Sequence, residues 1–562
     1  APVVANPNDA TRDFTLVTTR MNVQMSPDGT KMAFIGNWGM SASVDNLFVV
    51  DLDVPTLNAH SAVRVSGVRN ASTGGLDPLP NTAEVFSFKW SPDSQWISYV
   101  ADQDRQSVNE LYLVNVGDLS NVRGPFKVSG VEHQGFSDIE DASNGEYVMF
   151  SPDSRRIAWL VDAAEASARD LFVSDFSSGL PSAPQRINPP LPSGADVNDF
   201  KWANSDYIVF TGDVEVTNQN FIWLGDVRNL PALAPTYRRI NPNFAAGDVV
   251  NMSDSTSTND NPVVAPRVYT YRFDVSPDGR RVFYVGAFRT SGLQELNVVD
   301  ITGGIVGPNS VVGTAVNNGD VQVAAWSPDG TKILYAGDVF RDNNLEAAVV
   351  EVGLGVTALQ PPYRVSPRTT SGSNNGVEYQ SPTRGLGWSP DGRWVATFGD
   401  IIEAGKNELF VYDVDQGPNG RPIAVSNPRA SVGADAEMWL WSPDSRRILY
   451  ESDESVPSQN EYFVFDLATE ERFRIDVGTN RDVSHFHATS NMEVFWSADG
   501  DRIFYLADQQ TDGVVEAFMV TVGGQGLGTR RRINRGLPSG GNVTELMVQT
   551  PGQSIYTWGD AN

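Results

Sequence analysis

Six glutamates recur at one place in a repeating pattern, and they are the residues of this chain best placed to do chemistry. Each stands at the start of a short apolar segment that follows a polar turn: Glu110, Glu295, Glu346, Glu408, Glu461 and Glu516. Aspartates end many of the apolar segments that precede those turns: Asp102, Asp338, Asp400, Asp453 and Asp508. Gathered on one face, these carboxylates would form an acidic rim that binds a cation or a basic segment. The structural alternative is that they cap strand ends and hydrogen-bond to neighbouring backbone.

The histidines are candidate metal ligands. The chain has four of them, His60, His133, His485 and His487. His485 and His487 are two residues apart, so in an extended segment they point to one side, and His133 falls in a loop predicted on the same face. With nearby aspartates they are candidate ligands of a transition metal. A zinc site needs at least three converging ligands, so the alternative is that they are ordinary polar loop residues.

The sequence contains no complete catalytic motif. Without cysteine it has no disulfide, thiolate metal site or cysteine nucleophile. It has no Gly-x-Ser-x-Gly nucleophile elbow and no P-loop, and the glycines of 523–528 have the wrong spacing for a dinucleotide site. We therefore expect a protein that is not an enzyme and has no cofactor. A structural cation and a carboxylate pair for glycoside chemistry stay open.

Charge, hydropathy and the first residues bear on which partners the protein can bind and on its cellular location. The net charge of −28 and the pI near 4.5 disfavour binding to nucleic acid. No apolar run approaches the roughly 18 residues that would span a bilayer, so no transmembrane segment is expected. The chain begins with Ala1-Pro2 rather than Met, which predicts removal of a signal peptide and a periplasmic or extracellular location.

A repeated unit positions the candidate carboxylates. Its mark is a Ser-Pro-Asp-Gly turn, in which proline presets φ and Asp with Gly or Ser completes a type I turn. The turn occurs at Ser26–Gly29, Ser91–Ser94, Ser151–Ser154, Ser276–Gly279, Ser327–Gly330, Ser389–Gly392, Ser442–Ser445 and, without the proline, Ser497–Gly500. Worn copies at Trp202–Ser205 and Gln549–Gly552 bring the number of units to ten.

Each unit is predicted to form four short strands. The apolar runs beside the turn are rich in β-branched and aromatic residues and have strand length. A third run follows the polar turn, and a fourth reads as Arg-apolar-Ser or Arg-apolar-Asn in most units, as in Arg186–Asn188 and Arg364–Ser366. A recurrent Trp precedes the turn, at Trp90, Trp202, Trp326, Trp388, Trp441 and Trp496, and is predicted to pack between units. Four antiparallel strands repeated radially are the blade of a β-propeller, so we predict an all-β propeller of about ten blades.

The repeat resembles that of the TolB-like β-propellers. The resemblance lies in the Ser-Pro-Asp-Gly turns, the aromatic-rich second strand and the third strand that ends in Asp, and it covers nearly the whole chain. It is similar to the propellers of TolB and of prolyl oligopeptidases. The resemblance implies the fold and an interaction role. The separate N-terminal domain of TolB and the hydrolase domain of the oligopeptidases are not found here.

The ends of the chain bear on how the blades close. The last unit has two strands, and the N-terminal runs 2–4 and 14–17 supply material to complete it, which would remove open edges. We therefore predict one domain, 1–562, with all blades in a single ring. The alternative is two smaller propellers, 1–242 and 269–562, joined by the loop 243–268.

The longest and most varied loops precede the first strand of each unit. In a propeller these loops share a face with the turns between the second and third strands, so we predict that face to be the working one. The leading hypothesis is a non-catalytic propeller of the envelope or cell exterior that binds a protein partner or assembles with itself. The alternatives are a secreted polysaccharide hydrolase or lyase with its site at the channel mouth, and a metal- or small-ligand-binding sensor.

Overall fold

The fold is given by a computed structural model. It describes residues 23–36, 44–52, 62–69, 76–77, 79, 83–130, 147–162, 168–217, 219–242, 273–286, 293–313, 320–341, 344–353, 361–368, 376–378, 385–403, 405–427, 435–456, 459–476, 494–511, 514–523, 526–534, 543–547 and 556–559. These residues form antiparallel sheets, nearly all of four strands in sequence order, so the predicted all-β propeller class is confirmed. We call each large sheet a blade, number the blades along the chain, and label the strands of a blade A to D.

Blades 1 to 4 belong to a compact unit made mainly of Ala1–Pro242. Their strands are β1 (Val23–Met25), β2 (Lys31–Gly36), β3 (Asn46–Asp51) and β4 (Val63–Arg64); β7 (Val85–Trp90), β8 (Trp96–Ala101), β9 (Glu110–Asn115) and β10 (Arg123–Lys127); β11 (Val148–Phe150), β12 (Arg156–Asp162), β13 (Arg169–Asp175) and β14 (Gln185–Arg186); β15 (Val197–Asn204), β16 (Tyr207–Gly212), β17 (Phe221–Asp226) and β18 (Thr236–Arg239). The short strands β5 (Val68–Arg69) and β6 (Leu76–Asp77) pair with each other.

Blades 5 to 9 belong to a second compact unit, made mainly of Asp254–Pro551. Their strands are β19 (Phe273–Val275), β20 (Arg281–Gly286), β21 (Glu295–Asp300) and β22 (Ser310–Gly313); β23 (Val321–Trp326), β24 (Lys332–Gly337), β25 (Glu346–Glu351) and β26 (Tyr363–Arg364); β27 (Gly376–Val377), β28 (Gly387–Trp388), β29 (Trp394–Asp400), β30 (Glu408–Asp413) and β31 (Ile423–Ala424); β32 (Ala436–Trp441), β33 (Arg447–Val456), β34 (Gln459–Asp466) and β35 (Glu471–Arg474); β36 (Val494–Trp496), β37 (Arg502–Thr511), β38 (Val514–Gly523) and β39 (Gly526–Arg532). A final hairpin pairs β40 (Val543–Met547) with β41 (Tyr556–Gly559), and two 3-10 turns span Thr302–Gly304 and Val414–Asn419.

The division into units falls after Pro242, beside the loop proposed as the junction of two propellers. The N-terminal runs 2–4 and 14–17 and most of that loop lie outside the described residues. One closed ring and its alternative of two propellers both stay predictions.

The A–B turns follow one design in eight of the nine blades. The serine hydroxyl donates to the aspartate Oδ1 two residues on, at 2.5–2.6 Å, and accepts a backbone N–H in most copies. The fourth residue has a φ between 58° and 73°, which explains why it is glycine or serine. Where it is serine, its hydroxyl also accepts the N–H of the aspartate in the preceding blade, as from Asp391 to Ser445 at 3.0 Å.

The core lies between neighbouring blades of each unit. Side chains from one face of a blade pack on the next, as Leu449 and Tyr462 of blade 8 do with Trp496 and Tyr505 of blade 9. The recurrent tryptophans lie there as predicted, and several indole N–H groups donate to strand A of the preceding blade. The bonds join Trp90 to Gln24 O, Trp202 to Met149 O, Trp326 to Asp274 O and Trp388 to Ala325 O, at 3.2–3.3 Å. This repeated contact fixes blade-to-blade spacing.

No helix in the described part of the chain is long and apolar enough to cross a membrane.

Candidate functional site

The predicted glutamates all lie where strand C begins, opposite a small residue of strand B. The pairs are Glu110 with Ala101, Glu295 with Gly286, Glu346 with Gly337, Glu408 with Gly399, Glu461 with Ser452 and Glu516 with Ala507. The small partner leaves room for the glutamate side chain, and all six residues are at most 4% exposed. The six carboxylates thus lie at the B–C ends of their blades, where the sequence analysis expected an acidic rim, and their side chains are buried. Their binding of an outside ligand stays a prediction.

Burial of these carboxylates is matched by cations of the same blade. Lys127 Nζ lies 2.5 Å from Glu110 Oε1, Arg364 Nη2 lies 3.0 Å from Glu346 Oε1 and Arg532 Nη1 lies 2.6 Å from Glu516 Oε1. In blade 8, Arg474 pairs with both Glu461 and Asp476. Each cation sits in or just after the D strand, beside strand C. Removing one partner of a buried ion pair leaves an uncompensated charge and is destabilising, so these pairs support the fold.

The residue two positions after the D-strand cation completes a clamp on strand C. In blade 2 the Ser129 hydroxyl accepts the N–H of Leu111, the residue that follows Glu110, at 3.1 Å. The same bond recurs at Ser66, Asn188, Asn241, Ser366, Ser426 and Asn534, at 2.7–3.0 Å. The basic-apolar-Ser/Asn tripeptide was recognised in the sequence as the fourth strand. Its hydrogen bond to strand C was not predicted.

Blade 7 departs from this scheme, because Ala424 lies opposite Phe410, where most blades carry Lys or Arg; blade 5 likewise has Val311 at this place. Glu408 Oε2 instead accepts the N–H of Ile402 at 2.6 Å, and Asp400 Oδ2 accepts the N–H of Gly405 at 2.7 Å. Burial raises the pKa of Glu408, and the amide bonds only partly offset that rise. Here a folded loop replaces the arginine.

Blade 8 carries the densest group of buried carboxylates. Glu454 accepts from the Tyr450 hydroxyl at 2.9 Å and from the N–H of Asn427 at 2.6 Å. Burial raises the pKa of Glu454, of Glu461 and of Asp476, despite the arginine beside the latter two. These groups therefore resist ionisation more than exposed carboxylates do.

The aspartates on the B–C side of strand B hydrogen-bond to backbone, and Asp453, within β33, belongs to a chain of bonds that joins blades 8 and 7. Asp453 Oδ1 accepts the N–H of Asp435 at 2.7 Å, and Asp435 Oδ1 accepts the N–H of Asn407 in blade 7 at 2.8 Å. Blades 3 and 4 repeat this relay with Asp213, Asp196 and Arg169. Asp102 caps the N–H groups of Glu84 and Ser107 in a similar way. These bonds support the capping role given above as the structural alternative.

Two hairpins extend the B–C side of blades 8 and 9. Strands β33 and β37 have ten residues each, whereas strand B of the other blades has six or seven. The extensions end in the pairs Val456 with Gln459 and Thr511 with Val514. On strand C each extension adds two residues before the glutamate, and the register shifts between Ser452 and Val456 and between Ala507 and Thr511, so each extension contains a bulge. The sequence did not reveal these extensions, since polar residues such as Asp453 and Gln510 read as turns.

The histidine candidates His133, His485 and His487 lie outside the described residues, as does His60. Within the described ranges, no group of three or more His, Asp or Glu residues is placed to hold a metal ion.

The comparisons with known proteins show similarity of fold. No protein-family model and no curated protein matches the chain. Among solved structures, TolB from Acinetobacter baumannii is 13% identical over 69% of this chain and 78% of that one, with a TM-score of 0.26. The propeller domain of the Trilobed protease from Pyrococcus furiosus is 12% identical over 73% of this chain and 98% of that one, with a TM-score of 0.28. A prolyl endopeptidase is 16% identical over 76% of this chain and only 52% of its own, with a TM-score of 0.34. The predicted resemblance to these propellers is confirmed, for the fold alone.

Proposed function

We propose that this β-propeller is a non-catalytic scaffold that binds a protein partner through the B–C side of blades 8 and 9. The observation that carries the proposal is the pair of extended hairpins, β33–β34 and β37–β38. Blades 8 and 9 share one core, so the two hairpins rise from adjacent, firmly packed sheets. Extensions on a rigid scaffold are a usual place for recognition.

A non-catalytic role agrees with how the candidate carboxylates are used. Four of the six glutamates pair with a cation of their own blade, and Glu408 is held by loop amides. A general acid or base must reach a substrate proton. Carboxylates that are buried and internally bonded are poorly placed for that task, which favours the scaffold over the polysaccharide enzyme.

The test is purification of the protein from its own source at native expression, followed by mass measurement. We expect a stable complex with an envelope protein or with further copies of the chain. A monomer of 61.1 kDa with nothing bound would contradict the proposal and would favour screens against polysaccharides and metal ions.

A surface variant locates the contact. Ser455 and Gln510 are exposed in the two extensions, so Ser455→Arg with Gln510→Glu alters the surface, and the second change keeps an acceptor for Arg532. We expect the complex to weaken by about tenfold or more, as for disrupted interface residues. Arg446→Glu, at a residue whose side chain is 78% exposed in the A–B turn of blade 8, is the control and leaves binding unchanged.

We include a periplasmic or extracellular location in the proposal. Fractionation of native cells tests it, and recovery in the cytoplasm would contradict it.

A further inference from the structure

The outer strand of blade 9 is unusual in length and charge. Strand β39 has seven residues, whereas the other described D strands have two to five. It contains Arg530-Arg531-Arg532, the one run of three consecutive basic residues in a sequence of net charge −28. Among the described residues, β39 pairs with β38 and with no further strand.

The register shows which groups face the open edge. Met519 lies opposite Arg531 and Phe518 lies opposite Arg532, and the N–H of Ile533 donates to Ala517 O at 2.9 Å. In an antiparallel ladder alternate residues direct their backbone to each side. The backbone of Ile533 faces β38, so the backbone of Arg532 faces away from it, toward the edge.

The side chains divide between the two faces of the strand. Arg532 lies on the face of Glu516 and binds it at 2.6 Å. Arg531 is on the opposite face, is exposed, and has no ion pair among the described residues. Ile533 just beyond is 38% exposed. The edge thus offers backbone hydrogen-bonding groups, an available guanidinium and an apolar side chain.

We propose that the edge of β39 binds an extended acidic segment of the protein partner by strand addition. An open edge is a template for a further strand, and main-chain hydrogen bonds then supply affinity. Opposite charges on neighbouring strands stabilise the pairing, so the exposed guanidinium of Arg531 selects a carboxylate. This inference rests on the proposed partner-binding role and extends its surface, because Arg532 also lies 3.5 Å from Gln510 in the blade 9 extension.

The experiment is fluorescence anisotropy with the full chain and a labelled eight-residue peptide of alternating Glu and Val. We expect saturable binding that weakens about tenfold in Arg531→Glu, as for loss and reversal of a rim charge. Arg238→Glu, at an exposed residue of the four-residue outer strand β18, is the matched control and leaves binding unchanged. Equal weakening in the control variant would overturn the proposal.

Two further peptides separate strand addition from charge alone. A Glu-Pro peptide has the same charge, but its prolines have no N–H and hold φ near −65°, far from the value of about −140° in an antiparallel strand. A Lys-Val peptide has the opposite charge. We expect neither to bind, and we expect the Glu-Val peptide to slow amide exchange at Arg532. Equal binding of the Glu-Pro peptide would overturn strand addition. No binding of the Glu-Val peptide, with the native complex intact, would overturn this inference while leaving the proposed function standing.

Discussion

At the A–B end of blade 9, Asp499 is an exposed turn carboxylate, whereas at the B–C end of blade 8, Glu461 is wholly buried beside Arg474. The Ser497 hydroxyl and the amide of Asp501 lower the pKa of Asp499. Burial raises the pKa of Glu461. At the A–B end a charged carboxylate therefore stabilises the turn by accepting hydrogen bonds. At the B–C end the buried carboxylate depends on a cation of its own blade.

The difference separates two tasks within one repeat. The A–B turns are nearly identical and bond to one another across blades. The B–C ends keep a buried carboxylate but hold it by lysine, arginine or loop amides, and two of them grow into hairpins. The uniform ends repeat one local hydrogen-bonding pattern, whereas the varied ends are where we propose that a partner binds.

The largest effect is expected from Arg474→Met. It leaves Glu461 and Asp476 buried without their shared cation, and breaking such a group costs about 3–5 kcal/mol of unfolding free energy. Urea denaturation measures the change. The control Arg446→Met, at the A–B end of the same blade, should change stability by less than about 0.5 kcal/mol. Similar losses in both variants would remove the contrast between the two ends.

A smaller loss is expected from Ser442→Ala at the A–B end. The buried Ser442 hydroxyl donates to Asp444 at 2.6 Å and accepts the N–H of Arg447 at 2.9 Å. Removing it leaves a buried N–H with no partner, at a cost of about 1–3 kcal/mol. Urea denaturation again gives the value. No measurable loss would show that the turn does not depend on its serine.

The blade-to-blade bond of Ser445 gives a finer test. In Ser445→Ala the bond from the Asp391 N–H is lost while the positive φ of 59° remains, so we expect a loss of about 1 kcal/mol. Ser445→Gly loses the same bond but relieves the backbone, by about 1 kcal/mol, and should be nearly neutral. If glycine were no better than alanine, relief of the positive φ would contribute nothing to stability at this position.

The pH dependence should have opposite signs at the two ends. The raised pKa of Glu408 means that the folded state holds this proton more tightly than the unfolded state, so its contribution to stability falls as pH rises through the raised pKa. The lowered pKa of Asp499 means that its contribution is present above the ordinary carboxyl pKa and is lost as pH falls through the lowered value.

Thermal unfolding between pH 3 and pH 7 therefore separates two variants. Relative to the wild type, Glu408→Gln should gain stability as pH rises, and Asp499→Asn should lose it. Slopes of the same sign would contradict the contrast between the two ends.

Much of the fold could be predicted because its determinants are local. The serine and aspartate of each A–B turn hydrogen-bond within a few residues, and the glycine or serine that follows has a positive φ. These local requirements make the repeat recognisable in the sequence. The place of the glutamates at strand C could be predicted for the same reason. Their burial could not, since it depends on which side chain of strand D lies beside the glutamate, Arg474 in blade 8 but Ala424 in blade 7. The long hairpins were hidden because their strands continue through polar residues.

The most direct test of the account is hydrogen–deuterium exchange on the native complex, compared with the protein after its partner is removed. Partner binding is expected to slow amide exchange in residues 453–460 and 508–515 and along β39, and to leave exchange in the A–B turns unchanged. Protection confined to the A–B turns, or no complex at all, would contradict the claim that the varied B–C side binds the partner.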